Sequence, residues 1–252
     1  MKPLICFVRL ILVLFVLLFS PAEAADKQSS RLNTYTLTQQ YKLLGAVKVV
    51  AGKDCLKFEC RSLGVTFLYR PATDEVVMFS DENKTIFRTS GSTPKRPFFA
   101  KTLEVAGFDF ADAEMQPAEK RYAQIAEHRA AATCTTMAFE HKMLTRINKM
   151  QFKTRAAVRV RFYYFDDLPV DKRFGKFVSA LMAIPEGPGL PARVLCVTPE
   201  GNLVSYLNTS SVQTLRVAQS EFAPPQGYKT VASAQEVLGS HSSGDALDWI
   251  QK

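Results

Sequence analysis

Apolar and polar side chains alternate from Gly45 to Arg88, and this alternation constrains the fold of the 252-residue chain more than any other feature. The apolar positions recur at every second residue, as in Leu56, Phe58 and Cys60. A period of two is typical of an antiparallel sheet with one buried face and one solvent-exposed face. Gly, Asp, Asn and Pro residues lie between the apolar runs, where tight turns need them. The pattern predicts five short strands, at residues 46–50, 55–61, 65–70, 76–79 and 85–88.

The amino terminus has the layout of a secretory signal peptide over residues 1–24. Lys2 supplies a positive start, an uninterrupted apolar run spans residues 10–19, and Ala22 and Ala24 are the small residues of a cleavage site. The run is well short of the ~20 residues that a membrane-spanning helix needs, so cleavage is favoured over a permanent anchor. We therefore expect a periplasmic or secreted protein, released by cleavage near Ala24.

The chain carries a formal net charge of +8, and its Lys and Arg residues are scattered, with the densest run at residues 142–155. A moderate positive charge favours association with anionic surfaces such as phospholipid headgroups or cell-wall polymers. A solvated surface with surplus lysine explains the same charge, so peripheral association with an anionic envelope surface is one of two interpretations. Nucleic acid is not expected as a partner, because the chain is exported and lacks a compact basic motif.

Four cysteines follow the predicted signal peptide: Cys55, Cys60, Cys134 and Cys196. Export implies an oxidising compartment in which disulfides persist, and four cysteines allow three pairings. On one continuous strand Cys55 and Cys60 would point to opposite faces roughly 16 Å apart, far beyond disulfide reach. The pairing is otherwise open. The spacing lacks the two close ligand pairs of a zinc site, so we expect no metal and no cofactor.

The second half of the chain carries one amphipathic helix between strand regions. Asp171 is predicted to cap a helix over residues 172–184, and Pro185 ends it. The apolar residues of the helix recur at helical spacing and form one stripe: Phe174, Phe177, Val178, Leu181 and Met182. Strands are predicted at residues 157–165, 192–198, 203–209 and 211–222, the middle two as a hairpin, and the sheet is expected to end at residues 223–227.

Other segments give mixed signals. Residues 118–132 have strong helix propensity, 133–140 favour a strand, and 141–150 fit a helix. Residues 33–44 begin as an opening strand, although a helix also fits from residue 39 onward. A short helical turn is predicted at residues 233–239.

These elements predict an α+β fold that is mostly β, with one curved antiparallel sheet and at least one helix on its concave face. We expect a single domain over residues 25–239 and a flexible C-terminal tail over residues 240–252.

The helix stripe and the inward-facing strand residues are the candidate ligand-binding residues. On the strands they are Phe58, Phe67, Tyr69, Val160, Phe162 and Tyr164. Together with the stripe they would line an apolar cavity, which suits acyl chains, or they would simply fill the core.

No catalytic site is expected. Cys134 with His128 or His141 can be drawn as a nucleophile pair for a thiol-dependent hydrolase, but no nucleophile elbow or oxyanion loop accompanies them. Asp166 and Asp167 would bind a cation or form the entry turn of the helix, and adjacent acids before a proline more often form such a turn. No phosphate loop or dinucleotide fingerprint is present in the sequence.

Three motifs, in order, resemble the half-barrel lipoprotein-carrier superfamily of LolA, LolB and LppX-like exported domains, including its uncharacterised lipoprotein-sorting-like members. The first is the strand series over residues 65–88, with turns at 71–74 and 81–84. The second is Asp167-Leu168-Pro169-Val170 before the helix, followed by Gly189-Leu190-Pro191 leading into a strand. The third is FAPPQGYK at residues 222–229, which is similar to the F-x-x-P-x-G-Y ending of such domains.

The resemblance implies a strongly curved half-barrel sheet around helices, with an apolar cavity that holds acyl chains or other hydrophobic ligands. Residues 118–150 do not align with it, and it carries over no ligand-contacting residue. We therefore expect an exported, non-enzymatic carrier-like protein that binds a lipid or an acylated protein between the sheet and the helix. The alternative is a cell-envelope scaffold or interaction protein that uses the same fold to bind a protein partner or an anionic surface.

Overall fold

Twelve strands and two α-helices make up the residues that the computed structural model describes, which are 31–42, 44–91, 115–144, 151–197 and 201–239. The strands are β1 (Arg31–Tyr41), β2 (Gly45–Ala51), β3 (Leu56–Cys60), β4 (Val65–Arg70), β5 (Glu75–Ser80), β6 (Thr85–Ser90), β7 (Gln116–Ile125), β8 (His128–Leu144), β9 (Gln151–Phe165), β10 (Leu190–Val197), β11 (Leu203–Ala218) and β12 (Lys229–Thr230). The helices are α1 (Lys172–Leu181) and α2 (Ala234–Leu238). Neither is long and apolar enough to cross a membrane. The predicted signal peptide and the predicted tail lie outside the described residues.

All twelve strands belong to one curved sheet that does not close on itself. Their order is β12-β6-β5-β4-β3-β2-β1-β11-β10-β9-β8-β7, and every neighbouring pair is antiparallel except β12 with β6. The chain thus forms two blocks of consecutive strands, and the pairing of β1 with β11 joins them. The predicted fold class, α+β and mostly β with one curved antiparallel sheet, is confirmed.

Strands β2 to β6 are the meander that the alternating pattern predicted. On β3, Leu56, Phe58 and Cys60 are at most 1% exposed, whereas Lys57 and Glu59 form an ion pair of 2.7 Å on the other face. The predicted turns over residues 71–74 and 81–84 are present and end in Asp74 and Lys84, both with positive φ. We call the face that carries Phe58 the inner face, and the opposite one the outer face.

The helix predicted at residues 118–132 is wrong, because these residues form the hairpin of β7 and β8. Ile125 pairs with His128, and Ala126 and Glu127 make the two-residue turn with φ of 48° and 70°. Helix propensity differs among ordinary residues by only ~0.7 kcal/mol each, and the full-length pairing of β8 with β9 outweighs it. The helix predicted at 141–150 is also wrong as far as residue 144, where β8 ends, and residues 145–150 lie outside the described ones.

Three other boundaries differ from the predictions. β1 runs to Tyr41, which rules out the helical alternative after residue 39, because Tyr41 pairs with both β2 and β11. The two strands predicted at 203–209 and 211–222 are one strand, β11, with a bulge at Ser210 and a 3₁₀ turn after Ala218. The predicted helix at 172–184 is α1 but ends at Leu181, and the predicted turn at 233–239 is α2, capped by Ser233.

The main core fills the inner face, and α1 packs on it. Residues of α1 belong to the same buried cluster as the inward side chains of β1 to β5, β9, β10 and β11. The expectation of a helix on the concave face is therefore confirmed. Among the side chains whose burial the structure describes, no charged one is fully buried.

The alternating pattern predicted that the outer face of the meander is exposed to solvent. Part of that face is buried instead. Leu68, Val77, Phe79 and Ile86 form a second buried cluster there, packed against Tyr228. The cover comes from residues 219–239, which we call the C-terminal strap.

The C-terminal strap passes from the outer face around the β6 edge to the inner face. Phe222 and Tyr228 pack on the outer face, with the Tyr228 and Phe79 rings 6.2 Å apart between centroids. β12 then pairs with β6, and Val237 of α2 is fully buried in the main core. The sheet therefore does not end at residues 223–227, as the sequence had suggested.

Candidate functional site

All eleven predicted cavity residues lie in one buried cluster between the inner face and α1. None is more than 6% exposed. The cluster unites the strand and helix sets: Phe58, Phe67, Tyr69, Val160, Phe162, Tyr164, Phe174, Phe177, Val178, Leu181 and Met182. In this arrangement the side chains fill the core, and their contact with a ligand stays a prediction.

The N-terminal half of α1 is fixed by its cap and by aromatic contacts with β4. Asp171 Oδ1 accepts a hydrogen bond from the Arg173 backbone N–H at 2.8 Å, which confirms the predicted N-cap. The Arg173 guanidinium, hydrogen-bonded to the Asp171 carboxylate, lowers the pKa of that carboxyl. The Tyr69 ring stacks on Phe177 with 4.5 Å between centroids and meets Phe174 edge-on at 6.3 Å.

Two buried tyrosines hold the C-terminal end of α1 and the loop after it. Tyr41 Oη donates to the Met182 carbonyl at 2.7 Å, and Tyr164 Oη donates to the Pro185 carbonyl at 2.5 Å. Burial raises the pKa of both hydroxyls well above the ordinary value of 10.0. Both phenols are therefore protonated donors at neutral pH.

The loop over residues 185–189 packs with its backbone directly on α1 and on the end of β9. A methyl group at Gly175 would overlap the Gly189 carbonyl oxygen, and one at Gly189 would overlap the Phe165 carbonyl oxygen. Such close approach of two backbones is possible only for glycine. Helix, loop and strand end are therefore in direct backbone contact.

Few polar groups enter this interior. Gln39 Nε2 donates to the Pro191 carbonyl at 2.7 Å and to Thr209 Oγ1 at 2.9 Å, and Ser179 of α1 is also buried. An interior of aromatic and aliphatic groups without charge suits an apolar ligand and offers little to a polar substrate.

Two solvent-open pockets lie elsewhere on the described surface, and none of the eleven residues lines either one. The first, which we call the outer pocket, lies where β1, β10 and β11 meet and has a volume of about 580 Å³. Gln40, Arg193 and Asn208 face outward there, whereas Tyr206 also packs against the main core. Its lining residues are Gln40, Lys42, Arg193, Leu195, Ser205, Tyr206 and Asn208. The second, over β3 to β5, has about 410 Å³ and mixes basic with acidic side chains, including Lys57, Arg61, Glu59, Asp81 and Glu82.

Sequence reasoning missed the outer pocket because its residues come from three distant parts of the chain. Only the pairing of β1 with β11 and of β10 with β11 brings Gln40 and Arg193 together, both opposite Asn208. The alternation of Arg193 with the buried Val194 was the available signal, and it predicts only that Arg193 faces outward.

The acidic pair Asp166-Asp167 is engaged by the β7–β8 hairpin. Asp166 Oδ1 accepts from Arg129 Nε at 3.0 Å, and Asp167 Oδ2 accepts from the Arg129 backbone N–H at 2.8 Å and lies 3.3 Å from His128 Nδ1. These contacts tie the hairpin to the entry of α1. Within the described ranges, no group of three His, Cys, Asp or Glu side chains could hold a metal ion.

Cys134 lies too far from His128 and from His141 to form the nucleophile pairs that the sequence analysis considered. Cys134 and His128 are six residues apart on this one strand, which corresponds to roughly 20 Å, and His141 lies about as far in the other direction. A thiol and an imidazole at such a distance cannot act as nucleophile and base.

The four cysteines are all free thiols. Cys60 on β3 and Cys196 on β10 are buried on the inner face, with four strand steps between them in the sheet order. Cys134 pairs with Arg161 on the outward-facing register, opposite to Cys196. Cys60, Cys134 and Cys196 therefore lie beyond disulfide reach of one another.

No model of a protein family matches this chain, and no curated protein sequence does. Several solved structures are similar to it at low identity. One is an uncharacterised conserved protein from Thermus thermophilus, with 8% identity, 81% of this chain and 91% of the other covered, and a TM-score of 0.32. Another is MucB in complex with MucA(peri), with 10% identity, 80% of this chain and 57% of the MucB chain covered, and a TM-score of 0.31.

A LolA superfamily protein is also among these structures. It comes from Nitrosomonas europaea and has 12% identity, 79% of this chain and 91% of the other covered, and a TM-score of 0.23.

Proposed function

We propose that this chain is an exported, non-enzymatic carrier-like protein that binds a hydrophobic ligand between the inner face of the sheet and α1. The ligand would be a lipid or the acyl group of an acylated protein. The observation that carries the proposal is the single apolar cluster formed by the one-sided stripe of α1 and the inward strand residues. As part of the same proposal, the domain spans residues 25–239 and reaches the periplasm or the exterior after cleavage near Ala24.

Binding requires that α1 moves away from the sheet, because the side chains fill the interface. Few polar links oppose this movement: Tyr41 to Met182, Tyr164 to Pro185, and Arg173 Nη1 to the Pro71 carbonyl at 2.8 Å. An acyl chain that enters would replace the apolar contacts that the helix gives up, at roughly 25 cal/mol per Å² of apolar surface. The stripe of α1 would then line the ligand, as the sequence predicted.

Mass spectrometry of organic extracts tests the proposal on protein purified without detergent from an exporting host. We expect a stoichiometric lipid or acyl compound with the unmodified protein. Phe177→Asp should reduce it strongly, because a carboxylate replaces the ring that stacks on Tyr69. Lys176→Asp changes the neighbouring exposed residue of the same helix and should leave the amount unchanged.

A blank extract from folded, unmodified protein would overturn the carrier function. Circular dichroism checks that Phe177→Asp is folded. If it is not, Phe177→Leu serves instead, because this change keeps the position apolar and alters only the shape of the site. Loss of lipid in Lys176→Asp as well would also count against the proposed location.

A second candidate function, a cell-envelope interaction protein, is favoured by the uncompensated cations of the outer pocket. Within the described residues, neither Lys42 nor Arg193 has a carboxylate partner at ion-pair distance. A protein partner or an anionic surface would bind through such charges with an affinity that falls steeply as salt rises. No lipid would then purify with the protein.

A further inference from the structure

The outer pocket has the composition of an anion site. We propose that it binds a phosphate-bearing group, carried either by a lipid headgroup or by a small phosphorylated compound. The inference is independent of the carrier function, because none of the eleven predicted cavity residues lines the pocket. It depends on the charges, the strand irregularities and the size of the pocket.

Two cations and no carboxylate line the outer pocket. Arg193 Nε donates to Asn208 Oδ1 at 3.0 Å, which orients the guanidinium, and its terminal amino groups make no other hydrogen bond with the described residues. The Lys42 ammonium lies 4.9 Å from the centroid of the Tyr206 ring. Two like charges that share a concave surface without a counter-charge create a positive potential that attracts anions.

A β-bulge shapes the pocket. The register of β10 with β11 shifts between Val194 and Leu195, so Tyr206 is the extra residue of β11. Its carbonyl accepts the Lys42 backbone N–H at 2.7 Å, which places the start of the β1–β2 turn beside the pocket. Bulges redirect side chains and are frequent next to functional sites. Here the bulge brings the Tyr206 ring under the Lys42 ammonium.

The donors of the pocket outnumber what a planar carboxylate can accept. Arg193 and Lys42 supply several N–H donors, and Tyr206 also lines the pocket, with a hydroxyl whose pKa burial raises to about 12. The side-chain amides of Gln40 and Asn208 add further N–H groups. A tetrahedral anion with three or more oxygens matches several donors from different directions better than two coplanar oxygens do.

The volume of the outer pocket indicates a ligand larger than an isolated phosphate ion. About 580 Å³ lies in the range of ~300–1,000 Å³ that small-molecule sites occupy. Leu195 supplies an apolar contact for an organic part. The group is therefore a phosphate ester, as found in lipid headgroups and in phosphorylated metabolites.

Calorimetric titration with inorganic phosphate and with glycerol phosphate tests the proposal. We expect both to bind the unmodified chain, and glycerol phosphate to bind more tightly. Lys42→Gln with Arg193→Gln should weaken binding by about tenfold or more, because both charged donors are lost. The matched control is Lys48→Gln with Arg216→Gln, which removes the same charge outside the pocket. Arg216 donates to Asn33 at 3.3 Å, much as Arg193 does to Asn208.

The absence of phosphate and glycerol phosphate binding to the unmodified protein would overturn the proposal. So would an equal loss in the control double variant, which would mean that net charge alone attracts the anion. If the pocket variant does not fold, amide chemical shifts of the unmodified protein decide. Changes centred on Lys42, Tyr206 and Asn208 support the site, and changes spread over the surface contradict it.

Vesicles distinguish the two sources of phosphate. Cosedimentation with phosphatidylglycerol vesicles that is lost in the pocket variant but not in the control identifies a lipid headgroup. Binding of glycerol phosphate without vesicle binding identifies a small phosphorylated compound. The amount of lipid that co-purifies with the protein should be the same in the pocket variant. Failure of this inference is therefore distinguishable from failure of the carrier function.

Discussion

Burial governs the reactivity of three of the four cysteine thiols in the described chain. Desolvation raises the pKa of Cys55 to about 11 and that of Cys196 to about 12, and it also raises the pKa of Cys60. A raised pKa means a smaller thiolate fraction at neutral pH, and the thiolate is the reactive form. We therefore expect these thiols to react slowly with oxidants.

We predict four free thiols among residues 31–239 of the native protein. Alkylation with iodoacetamide at pH 8, followed by peptide mass spectrometry, should label Cys60 and Cys196 much more slowly than the same peptides in denaturant. Denatured, unreduced protein provides the reference, in which all four should react. A disulfide between any two of the four would contradict the prediction.

The Tyr41 hydroxyl gives a prediction for alkaline pH. Its pKa is raised in the folded protein, so the folded state holds its proton above pH 10 while the unfolded state loses it. The stability that this hydroxyl contributes is therefore complete below about pH 10 and is lost as pH rises toward the folded-state pKa, with a slope of up to ~1.4 kcal/mol per pH unit.

Tyr41→Phe should lower the free energy of unfolding at pH 7 by about 1–3 kcal/mol, because the buried Met182 carbonyl loses its donor. The difference between variant and unmodified protein should shrink above pH 10. Urea unfolding at pH 7 and pH 10.5 measures both values. Tyr122→Phe, at an exposed position, is the control and should follow the unmodified protein. A difference that grows with pH would refute the assignment.

Buried residues were predictable from the sequence where a strand buries only one of its two faces. Alternation along β3, β4 and β9 identified all six strand residues of the candidate site, because inward side chains repeat with the period of the strand. Leu68 and Val77 were not recognised as buried on the outer face, because their cover is Tyr228, about 150 residues later. Local patterns contain no information on such distant cover.

At the scale of elements, the contact of α1 with its following loop depends on glycine. Alanine is a better helix former than glycine by about 1 kcal/mol, so Gly175→Ala would stabilise an isolated helix. Here the methyl group meets the Gly189 carbonyl, and overpacking of this kind costs about 1–3 kcal/mol or more. The steric cost should exceed the gain in propensity.

Gly175→Ala should therefore lower the midpoint of thermal unfolding, although it raises helix propensity. Lys176→Ala is the control at the next, exposed position and should leave the midpoint unchanged or raise it slightly. Differential scanning calorimetry measures both. An increase in the midpoint for Gly175→Ala would show that the loop moves easily to accommodate the methyl group. The close contact between α1 and the loop would then not contribute to stability.

The β7–β8 hairpin shows why this element could not be predicted from the sequence. Residues 118–132 carry no turn dipeptide such as Asn-Gly, yet Ala126 and Glu127 both adopt positive φ. This geometry costs ~1–2 kcal/mol per residue for L-amino acids. The ties of His128 and Arg129 to Asp166 and Asp167, together with pairing to β9, compensate for it. These stabilising contacts are non-local, whereas the α1 cap and stripe are local and were predicted correctly.

At the scale of the whole molecule, the C-terminal strap protects one end of the sheet. It covers the outer cluster with Tyr228, occupies the edge of β6 with β12, and places Val237 in the main core. Asn83 Nδ2 donates to the Val237 carbonyl at 3.0 Å and fixes α2 beside the same edge. An uncovered edge strand is a site for pairing with other chains.

Removal of the strap should therefore promote aggregation. A chain that stops after Ala218 exposes Phe79, Ile86 and the β6 edge, and we expect higher-order species by light scattering. A chain that stops after Gly239 keeps every described contact of the strap and is the control. A monodisperse short chain with an unchanged unfolding midpoint would contradict this role.

The outer pocket could not be foreseen at any scale, since its walls exist only after the two blocks of strands join. Each of its residues looks like an ordinary outward-facing side chain in the sequence. The overall architecture, by contrast, followed from two runs of strands around one helix, because few arrangements bury so many alternating strands.

The position of β1 in the sheet constrains the order in which the strands can pair during folding. The first described strand lies at the centre of the sheet and pairs with β11, so that Thr38 and Ser210 bond across 172 residues of chain. Contact order is therefore high, and topologies of this kind fold in about milliseconds to seconds rather than microseconds. Neighbouring hairpins form early on each side, whereas β1 keeps one unpaired edge until β11 has been synthesised. Completion of the native sheet is thus delayed until β11 has been synthesised, although six of the twelve strands precede residue 91.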